Sequence, residues 1–248
     1  MSVSDKTVAA KAQASIGVLI VDNHDLVGSS LASVLGMTGI PSSVVSRASL
    51  SLNGVLEAVA AYRASHSNLV PIALVDLNLT PELDGVDLIT PLKSIGVSVI
   101  ILTGVTDRLR LAKCVAAGAS GIFNKGRPLQ ELMELIKAVA CGETAITSSE
   151  KELLLRELNT YSRRRREAIG KLSSLTPKEQ IVLAKLQSGM LAEEIARESY
   201  VSLLTVRSQI HWILTKLDVH SQRDAVALAN QVNWNLGETY RRARRNGR

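Results

Sequence analysis

The chain has 248 residues, of which 46% are hydrophobic and 21% are charged. This length allows one large domain or two of ordinary size, and the composition excludes disordered, collagenous and fibrous proteins. Only 3% of the residues are aromatic. We therefore expect a core of aliphatic side chains and no aromatic platform for stacking the bases of a single-stranded nucleic acid.

The net charge of +6 lies entirely in the C-terminal part of the sequence. Residues 1–142 contain 11 basic and 11 acidic side chains, whereas residues 143–248 contain 18 basic and 12 acidic ones. This asymmetry predicts a polyanion-binding region attached to a neutral body.

Targeting and redox signals are weak in this sequence. Its apolar runs are all shorter than the ~20 residues that a membrane helix needs, so we expect no membrane contact. The two cysteines, Cys114 and Cys141, lack metal-ligand spacing. We expect both to lie in the core of a protein in the reducing cytoplasm.

Between residues 16 and 141, short apolar runs rich in Val and Ile alternate with helical patterns. This alternation predicts an α/β domain of the doubly wound, flavodoxin-like class, with a five-stranded parallel sheet covered by helices on both faces. The predicted strands are residues 16–21, 44–46, 72–75, 97–102 and 121–123. The predicted helices are residues 26–38, 53–65, 86–95, 108–117 and 129–140, with an interruption at Pro91.

Helix-capping signals organise the C-terminal part. Thr147 and Glu150 form a capping box before a predicted linker helix, and Thr176 and Glu179 form a second one with Pro177 at the first helical position. Four short helices follow, at residues 177–186, 192–198, 203–217 and 223–233. Because only four residues separate the second from the third of these, we expect an all-α helix-turn-helix domain.

Polar side chains follow four of the predicted strands. Asp22 and Asn23 follow the first strand, and the others are Asp76, Thr103 and Lys125. Ligands of open parallel sheets bind beyond the carboxyl ends of the strands, so we expect these side chains to converge there. Two neighbouring carboxylates repel unless a proton or a cation lies between them, and Mg2+ would serve.

With its charge neutralised, Asp76 could attack a phosphoryl group and form an acyl phosphate. Lys125 would then pair with the phosphoryl oxygens and Thr103 would donate a hydrogen bond, which describes a switch and not an enzyme. A phosphatase of the haloacid-dehalogenase type is the main enzyme alternative, but it needs a second Asp where this chain has Asn78. A dinucleotide-binding enzyme is disfavoured because no Gly-rich loop follows the first strand.

Residues 16–141 resemble the receiver domain of the bacterial response regulators, in the motifs VLIVDNHD, ALVDLNL, IILTG and AGASGIFNKG. The resemblance implies that Asp76 is the phosphoacceptor and that Thr103 and Lys125 are the switch hydroxyl and the phosphate-pairing lysine. It also implies that Mg2+ is held by Asp22, Asn23, Asp76 and the main-chain carbonyl of Asn78.

Several positions in this region depart from the family pattern, among them Gly126, which replaces the common proline after Lys125. Asn23 replaces the second acidic residue, and we expect its uncharged amide to hold a hard cation less well. Ile122 stands where the family usually has an aromatic switch residue, and we expect the neighbouring Phe123 to point to the opposite face of the strand.

Residues 176–233 resemble the LuxR-type helix-turn-helix domain of NarL/FixJ-type response regulators, in the motifs LTPKE, EEIA, VSLLTVRSQI, LTKLDV and SQRDA. Helical periodicity puts Arg207, Ser208 and His211 on one face of the third helix, which suits the major groove of duplex DNA. The resemblance assigns base contacts to these three residues and phosphate contacts to Thr205, Gln209 and Lys216. The alternative interpretation is a solvated helix face with Trp212 in the core.

These observations predict a cytoplasmic transcription regulator that a sensor histidine kinase phosphorylates on Asp76 and that binds duplex DNA as a homodimer. The alternative is a phosphorylation-independent regulator whose degenerate receiver serves for dimerisation or ligand response. The expected organisation is a disordered leader (1–15), a receiver domain (16–142), a helical linker (143–174), a LuxR-type domain (175–235) and a basic tail (236–248).

Overall fold

The computed structural model describes residues 16–66, 68–104 and 107–235. The expected leader and the expected basic tail lie outside the described residues. Internal contacts divide the chain into an N-terminal unit that ends at Leu158 and a C-terminal unit that begins at Asn159. In the described ranges no helix is both long enough and apolar enough to span a membrane.

A five-stranded parallel sheet with the order β2-β1-β3-β6-β7 forms the centre of the N-terminal unit. The strand order reverses between β1 and β3, which is where sheets of this kind bind their ligands. The strands of the sheet are β1 (Ile16–Val21), β2 (Ser42–Val44), β3 (Val70–Asp76), β6 (Ser98–Thr103) and β7 (Gly121–Asn124). A separate antiparallel hairpin, β4 (Asn78–Thr80) and β5 (Leu83–Asp84), follows β3 directly.

Helices cover both faces of this sheet. They are α1 (Asp25–Met37), α2 (Leu52–Ser65), α3 (Gly85–Ser94), α4 (Arg108–Ala117) and α5 (Leu129–Ala140). Because side chains alternate along a strand, Leu19 and Val21 of β1 join a core with α2, α3 and α4, whereas Val18 and Ile20 join a core with α1 and α5. The predicted doubly wound α/β class is confirmed.

The second strand lies earlier than the sequence predicted. β2 consists of Ser42–Val44 and pairs with Val18–Ile20 of β1, so the predicted segment 44–46 contributes only Val44. β2 is an edge strand, and an edge accepts serines where an interior strand of a parallel sheet needs apolar side chains on both faces. Residues Arg47–Ser49 form a short 3-10 helix instead.

Two further predictions for this unit are wrong. Helix α3 continues through Pro91, although an interior proline removes a helical hydrogen bond at a cost of about 3 kcal/mol. Leu88 and Leu92 are fully buried beside it, and burial of each contributes about 1.5–3 kcal/mol, so packing outweighs the lost bond. Cys114 is buried, but Cys141 is exposed because it follows the last residue of α5.

The backbone around Asp76 is packed tightly against the start of α3. A Cβ atom at Gly85 would overlap the main-chain oxygen of Asp76, so only glycine lets α3 begin this close to the end of β3. Asp84 caps the helix, because its Oδ1 accepts a hydrogen bond from the N–H of Val86 at 3.0 Å. These contacts fix the main chain on either side of the hairpin.

Helix α6 (Ser148–Ser173) contains the last residues of the N-terminal unit and the first of the C-terminal unit. In the N-terminal unit, Leu154 of α6 and Ile146 before it pack with Ala112 and Val115 of α4. The C-terminal unit adds four helices, α7 (Pro177–Gln187), α8 (Ala192–Glu198), α9 (Leu203–Leu217) and α10 (Gln222–Gln231).

The helix-turn-helix lies in the C-terminal unit, where Ile195 of α8 packs with Val206 and Ile213 of α9 in one apolar core. The turn between the two helices bends at Tyr200, which has a positive φ of 53°. Ser202 caps α9, since its Oγ accepts a hydrogen bond from the Thr205 N–H at 3.0 Å. The predicted all-α C-terminal domain is confirmed.

Candidate acidic pocket and candidate nucleic-acid interface

The structure brings Asp22, Asp76, Thr103 and Lys125 together at the carboxyl ends of four strands. The Nζ atom of Lys125 lies 2.8 Å from Asp22 Oδ2 and 3.1 Å from Asp76 Oδ2. The main-chain N–H of Lys125 donates to the carbonyl oxygen of Thr103 at 2.8 Å. Asp22, Asp76 and Thr103 are 1%, 3% and 2% exposed, so solvent screens this cluster poorly. We call these four residues the acidic pocket.

Lys125 supplies the cation that two neighbouring carboxylates require. Burial alone would lower the pKa of its ammonium, but hydrogen bonds and attraction from Asp22 and Asp76 outweigh burial and raise that pKa. By formal charge, one ammonium balances only one of the two carboxylates. The pocket therefore retains the capacity to attract a second cation.

Two residues that follow Asp22 border this cluster, and one of them was not predicted from the sequence. The main-chain N–H and the Nδ1 of His24 lie 2.8 and 3.2 Å from Asp22 Oδ1. Ligand atoms of Asp22, His24 and Asp76 all lie within 4.8 Å of one another. The Oδ1 of Asn23 is buried and accepts no hydrogen bond from any described residue. Oxygen donors of this kind suit a hard divalent cation such as Mg2+.

Asn78 begins the hairpin that follows Asp76. Its main-chain N–H donates to Asp76 Oδ1 at 3.3 Å, whereas its side chain points to Arg110 of α4, whose Nη1 donates to Asn78 Oδ1 at 2.6 Å. Asn78, Asn23 and Arg110 line one cavity of about 340 Å3. Sequence reasoning missed Arg110, because its partners lie 26 to 33 positions away and no local pattern marks such a pairing.

The two residues of β7 at the expected switch position lie on opposite faces of the sheet, as predicted. Phe123 is buried in the core that contains α1 and α5. Ile122 is half-buried and packs against the cores on the α4 side. The side of the sheet that faces α4 therefore has an aliphatic and not an aromatic side chain at this point.

Helix α9 presents a polar face to solvent. Its buried face consists of Val206, Ile210, Ile213 and Leu217. Four of the residues predicted to contact DNA are exposed and a fifth, Gln209, is half-buried; the exposed four are Thr205, Arg207, Ser208 and His211. This arrangement leaves the predicted base-facing set available to a ligand.

Both basic side chains of this predicted set, Arg207 and Lys216, form ion pairs with acidic side chains. The Nη2 of Arg207 lies 3.4 Å from Glu193 Oε1 of α8, with both side chains exposed. Lys216 is only half-exposed, and its Nζ lies 2.9 and 2.7 Å from the two carboxylate oxygens of Glu179. Sequence reasoning found Glu179 as a capping residue but missed both ion pairs.

Trp212 lies outside the core, so the interpretation of this residue as a core side chain is wrong. It is 56% exposed and its ring meets that of His211 edge to face, with centroids 5.8 Å apart. The buried positions of α9 recur at residues 206, 210, 213 and 217, a spacing that excludes position 212.

The Glu179 carboxylate combines two structural contacts. It accepts a hydrogen bond from the Thr176 N–H at 2.7 Å, which completes the predicted capping box, and it pairs with Lys216. Burial alone would raise the pKa of this carboxyl, but the hydrogen bonds from Lys216 and Thr176 outweigh burial and lower the pKa below its usual value. The charged form therefore stabilises the folded C-terminal unit.

Family models match both units. The model for the response regulator receiver domain matches residues 18–137, and the model for bacterial regulatory proteins of the luxR family matches residues 173–229.

Curated relatives match much of the chain. A nitrate/nitrite response regulator protein homolog from Haemophilus influenzae is 32% identical over 164 residues, which cover 65% of this chain and 74% of that protein. A putative transcriptional regulator from Pseudomonas aeruginosa is 30% identical over 216 residues, which cover 86% of this chain and 97% of that protein. Among solved structures, the response regulator RcsB in complex with DNA matches 88% of this chain and 98% of its own, at 22% identity and a TM-score of 0.43.

We expect Lys125→Met to destabilise the N-terminal unit by about 3 kcal/mol, because the substitution leaves two nearly buried carboxylates without their cation. Urea unfolding followed by circular dichroism measures this effect. Both tryptophans, Trp212 and Trp234, lie in the C-terminal unit, so their fluorescence reports separately on that unit. Lys137→Met removes an exposed lysine of α5 and serves as the matched control. Equal stability of the two variants would contradict the assignment.

A second prediction concerns acid stability of the C-terminal unit. Because the pKa of Glu179 is lowered on folding, its contribution is complete above the ordinary value of 4.5 and is lost as the pH falls through the folded value. We expect Glu179→Gln to destabilise the unit by about 1–2 kcal/mol at pH 7, and we expect the difference from wild type to disappear under acid. Tryptophan fluorescence during urea unfolding at each pH measures it. A difference that stays constant from pH 7 to pH 3 would refute the mechanism.

Proposed function

Because the chain belongs to the bacterial response regulators that combine a receiver domain with a LuxR-type DNA-binding domain, we propose that phosphorylation of Asp76 controls its binding to DNA. The observation that carries this proposal is the Lys125 ammonium shared by Asp22 and Asp76. The phosphoryl donor would be a sensor histidine kinase in the cytoplasm. We keep residues 16–142 as the receiver, 143–174 as the linker and 175–235 as the DNA-binding domain.

In the proposed transfer, a carboxylate oxygen of Asp76 attacks the phosphorus of a phosphohistidine on the kinase. A P–O bond forms while the P–N bond breaks, and the leaving imidazole nitrogen takes a proton from solvent. Lys125, which already lies 3.1 Å from Asp76 Oδ2, would pair with the new phosphoryl oxygens. Thr103, at the end of the neighbouring strand β6, would donate its hydroxyl to them.

Mg2+ would neutralise charge on the attacking carboxylate and on the phosphoryl oxygens. Asp22, Asp76, Asn23 and the main-chain carbonyl of Asn78 would hold it. The buried Oδ1 of Asn23, which no described donor satisfies, supports this donor set. Because an amide brings no negative charge, we expect weaker Mg2+ binding than in receivers with a second carboxylate at this position.

The exposed face of α9 would enter the major groove of duplex DNA. Arg207, Ser208 and His211 would face base edges, and Thr205, Gln209 and Lys216 would lie nearer the phosphates. The Lys216 contact would be the weakest, since Glu179 already holds that ammonium. Binding as a homodimer would place two half-sites about one helical turn apart.

Intact mass spectrometry tests the phosphoryl switch. After incubation of the full chain with Mg2+ and acetyl phosphate, we expect a single phosphoryl adduct on the wild-type protein. Asp76→Ala should show none, because it removes the accepting oxygens. A folded wild-type protein that binds DNA but acquires no adduct would contradict phosphorylation control and favour the phosphorylation-independent regulator.

Arginine substitutions test the DNA interface. We expect Arg207→Ala to reduce binding to a selected operator by about 1–3 kcal/mol and to reduce discrimination against single base changes, because a guanidinium contacts guanine through two hydrogen bonds. Arg223→Ala removes an exposed arginine of α10 and should leave discrimination unchanged. Fluorescence anisotropy with operator variants at fixed salt measures both. Retained discrimination in the Arg207 variant would remove Arg207 from the base-reading set.

A further inference from the structure

Arg110 binds both ends of the hairpin that follows Asp76. Its Nη1 donates to Asn78 Oδ1 at 2.6 Å and its Nη2 donates to the carbonyl oxygen of Leu77 at 3.0 Å. The same Nη2 lies 2.8 Å from Asp84 Oδ2, where the hairpin ends. One guanidinium thus connects the first and last residues of this loop to α4.

The hairpin depends on support from outside itself. Its strands β4 and β5 form only two residue pairs, and the register shifts between them. An isolated hairpin of this size is unstable in water. Arg110 is suited to hold it, because the rigid fork of a guanidinium loses less freedom per hydrogen bond than a lysine ammonium does. The side chains of Arg110 and Asp84 are 25% and 42% exposed, so the contribution of the clamp comes from its three hydrogen bonds together and not from the ion pair alone.

Arg110 connects the hairpin that follows Asp76 to the helix that follows Thr103. The hairpin begins two residues after Asp76, and α4 is the helix that follows β6 and Thr103. Arg110 therefore resists displacement of the hairpin relative to α4. Arg108, two positions earlier on α4, binds elsewhere: its guanidinium pairs with Glu157 of α6.

We propose that Arg110 is a positioning residue for phosphoryl transfer, which clamps the hairpin to α4 and holds the main chain of Asn78 beside Asp76. This inference rests on the proposed function, since the clamp acts through the geometry of the phosphoacceptor loop. Among the described residues, Arg110 donates to Leu77, Asn78 and Asp84 and to no group of the acidic pocket, so its effect on the reaction is through Asn78. Removal of the clamp loosens the loop and weakens the site for Mg2+ without removing any group from it.

The test compares Arg110→Met, Arg110→Lys and Arg108→Met in the full chain. The Arg108 variant is the matched control, because it removes an arginine of the same helix turn that pairs with α6 and not with the hairpin. The first readout is the Mg2+ concentration that gives half the maximal phosphorylation rate with acetyl phosphate. The second is amide hydrogen exchange of residues 78–84 in protein without Mg2+ or phosphodonor, which reports on the clamp independently of activity.

We expect Arg110→Met to raise the half-saturating Mg2+ concentration by about tenfold, as the loss of charged hydrogen bonds predicts, and to accelerate exchange of residues 78–84. Arg110→Lys should restore part of both effects, and Arg108→Met should match wild type. If Arg110→Met does not fold, the same two measurements are made on Asp84→Asn. This substitution removes the charge of the ion pair and keeps a capping oxygen for α3.

The outcomes separate the two proposals. A wild-type adduct together with unchanged Mg2+ dependence and exchange in the Arg110 variant overturns the clamp and leaves the proposed function intact. Absence of any adduct on the wild-type protein overturns the proposed function, and with it the positioning role. Equal changes in the Arg108 and Arg110 variants would also overturn the clamp, because they would reflect a general loosening of α4.

Discussion

The ammonium of Lys125 between Asp22 and Asp76 is the interaction on which the acidic pocket depends. Two carboxylates at 1% and 3% exposure repel strongly unless a cation lies with them. Lys125 follows β7, two strands away from β3 in the sheet order, so its long side chain crosses the end of β6, where Thr103 lies. The sheet topology therefore brings the carboxyl ends of β6 and β7 to the same charged cluster.

A phosphoryl group on Asp76 would act through this same ammonium. The group would add negative charge and acceptor oxygens, so in the proposed mechanism it would compete with Asp22 for Lys125 and would draw the end of β7 towards β3. The hairpin on the other side of Asp76 is held to α4 by Arg110, and α4 in turn pairs with α6 through Arg108 and Glu157. Within the N-terminal unit, these ion pairs connect the hairpin to α4 and α4 to α6.

The sequence was sufficient for the elements whose residues carry local patterns. Buried Val and Ile runs predicted the interior strands, the capping residues Thr176 and Glu179 predicted a helix start, and polar residues at strand ends predicted the acidic pocket. The prediction failed where contacts with distant residues determine the local structure. Pairing with β1 determines that β2 begins at Ser42, and burial of Leu88 and Leu92 stabilises α3 through Pro91. Contacts between distant residues, such as Arg110 with Asp84, produce no periodic pattern in the sequence.

The C-terminal unit shows why a count of basic residues overstates the charge available to DNA. Arg207 pairs with Glu193, but both side chains are exposed, and such a pair is worth about 0–1 kcal/mol, so a base or a phosphate can replace the glutamate cheaply. Lys216 is different, because Glu179 is nearly buried and also caps α7, so release of this lysine would weaken the fold. The two cations on α9 therefore differ: the exposed Arg207 guanidinium can exchange its partner readily, whereas Lys216 mainly stabilises the domain.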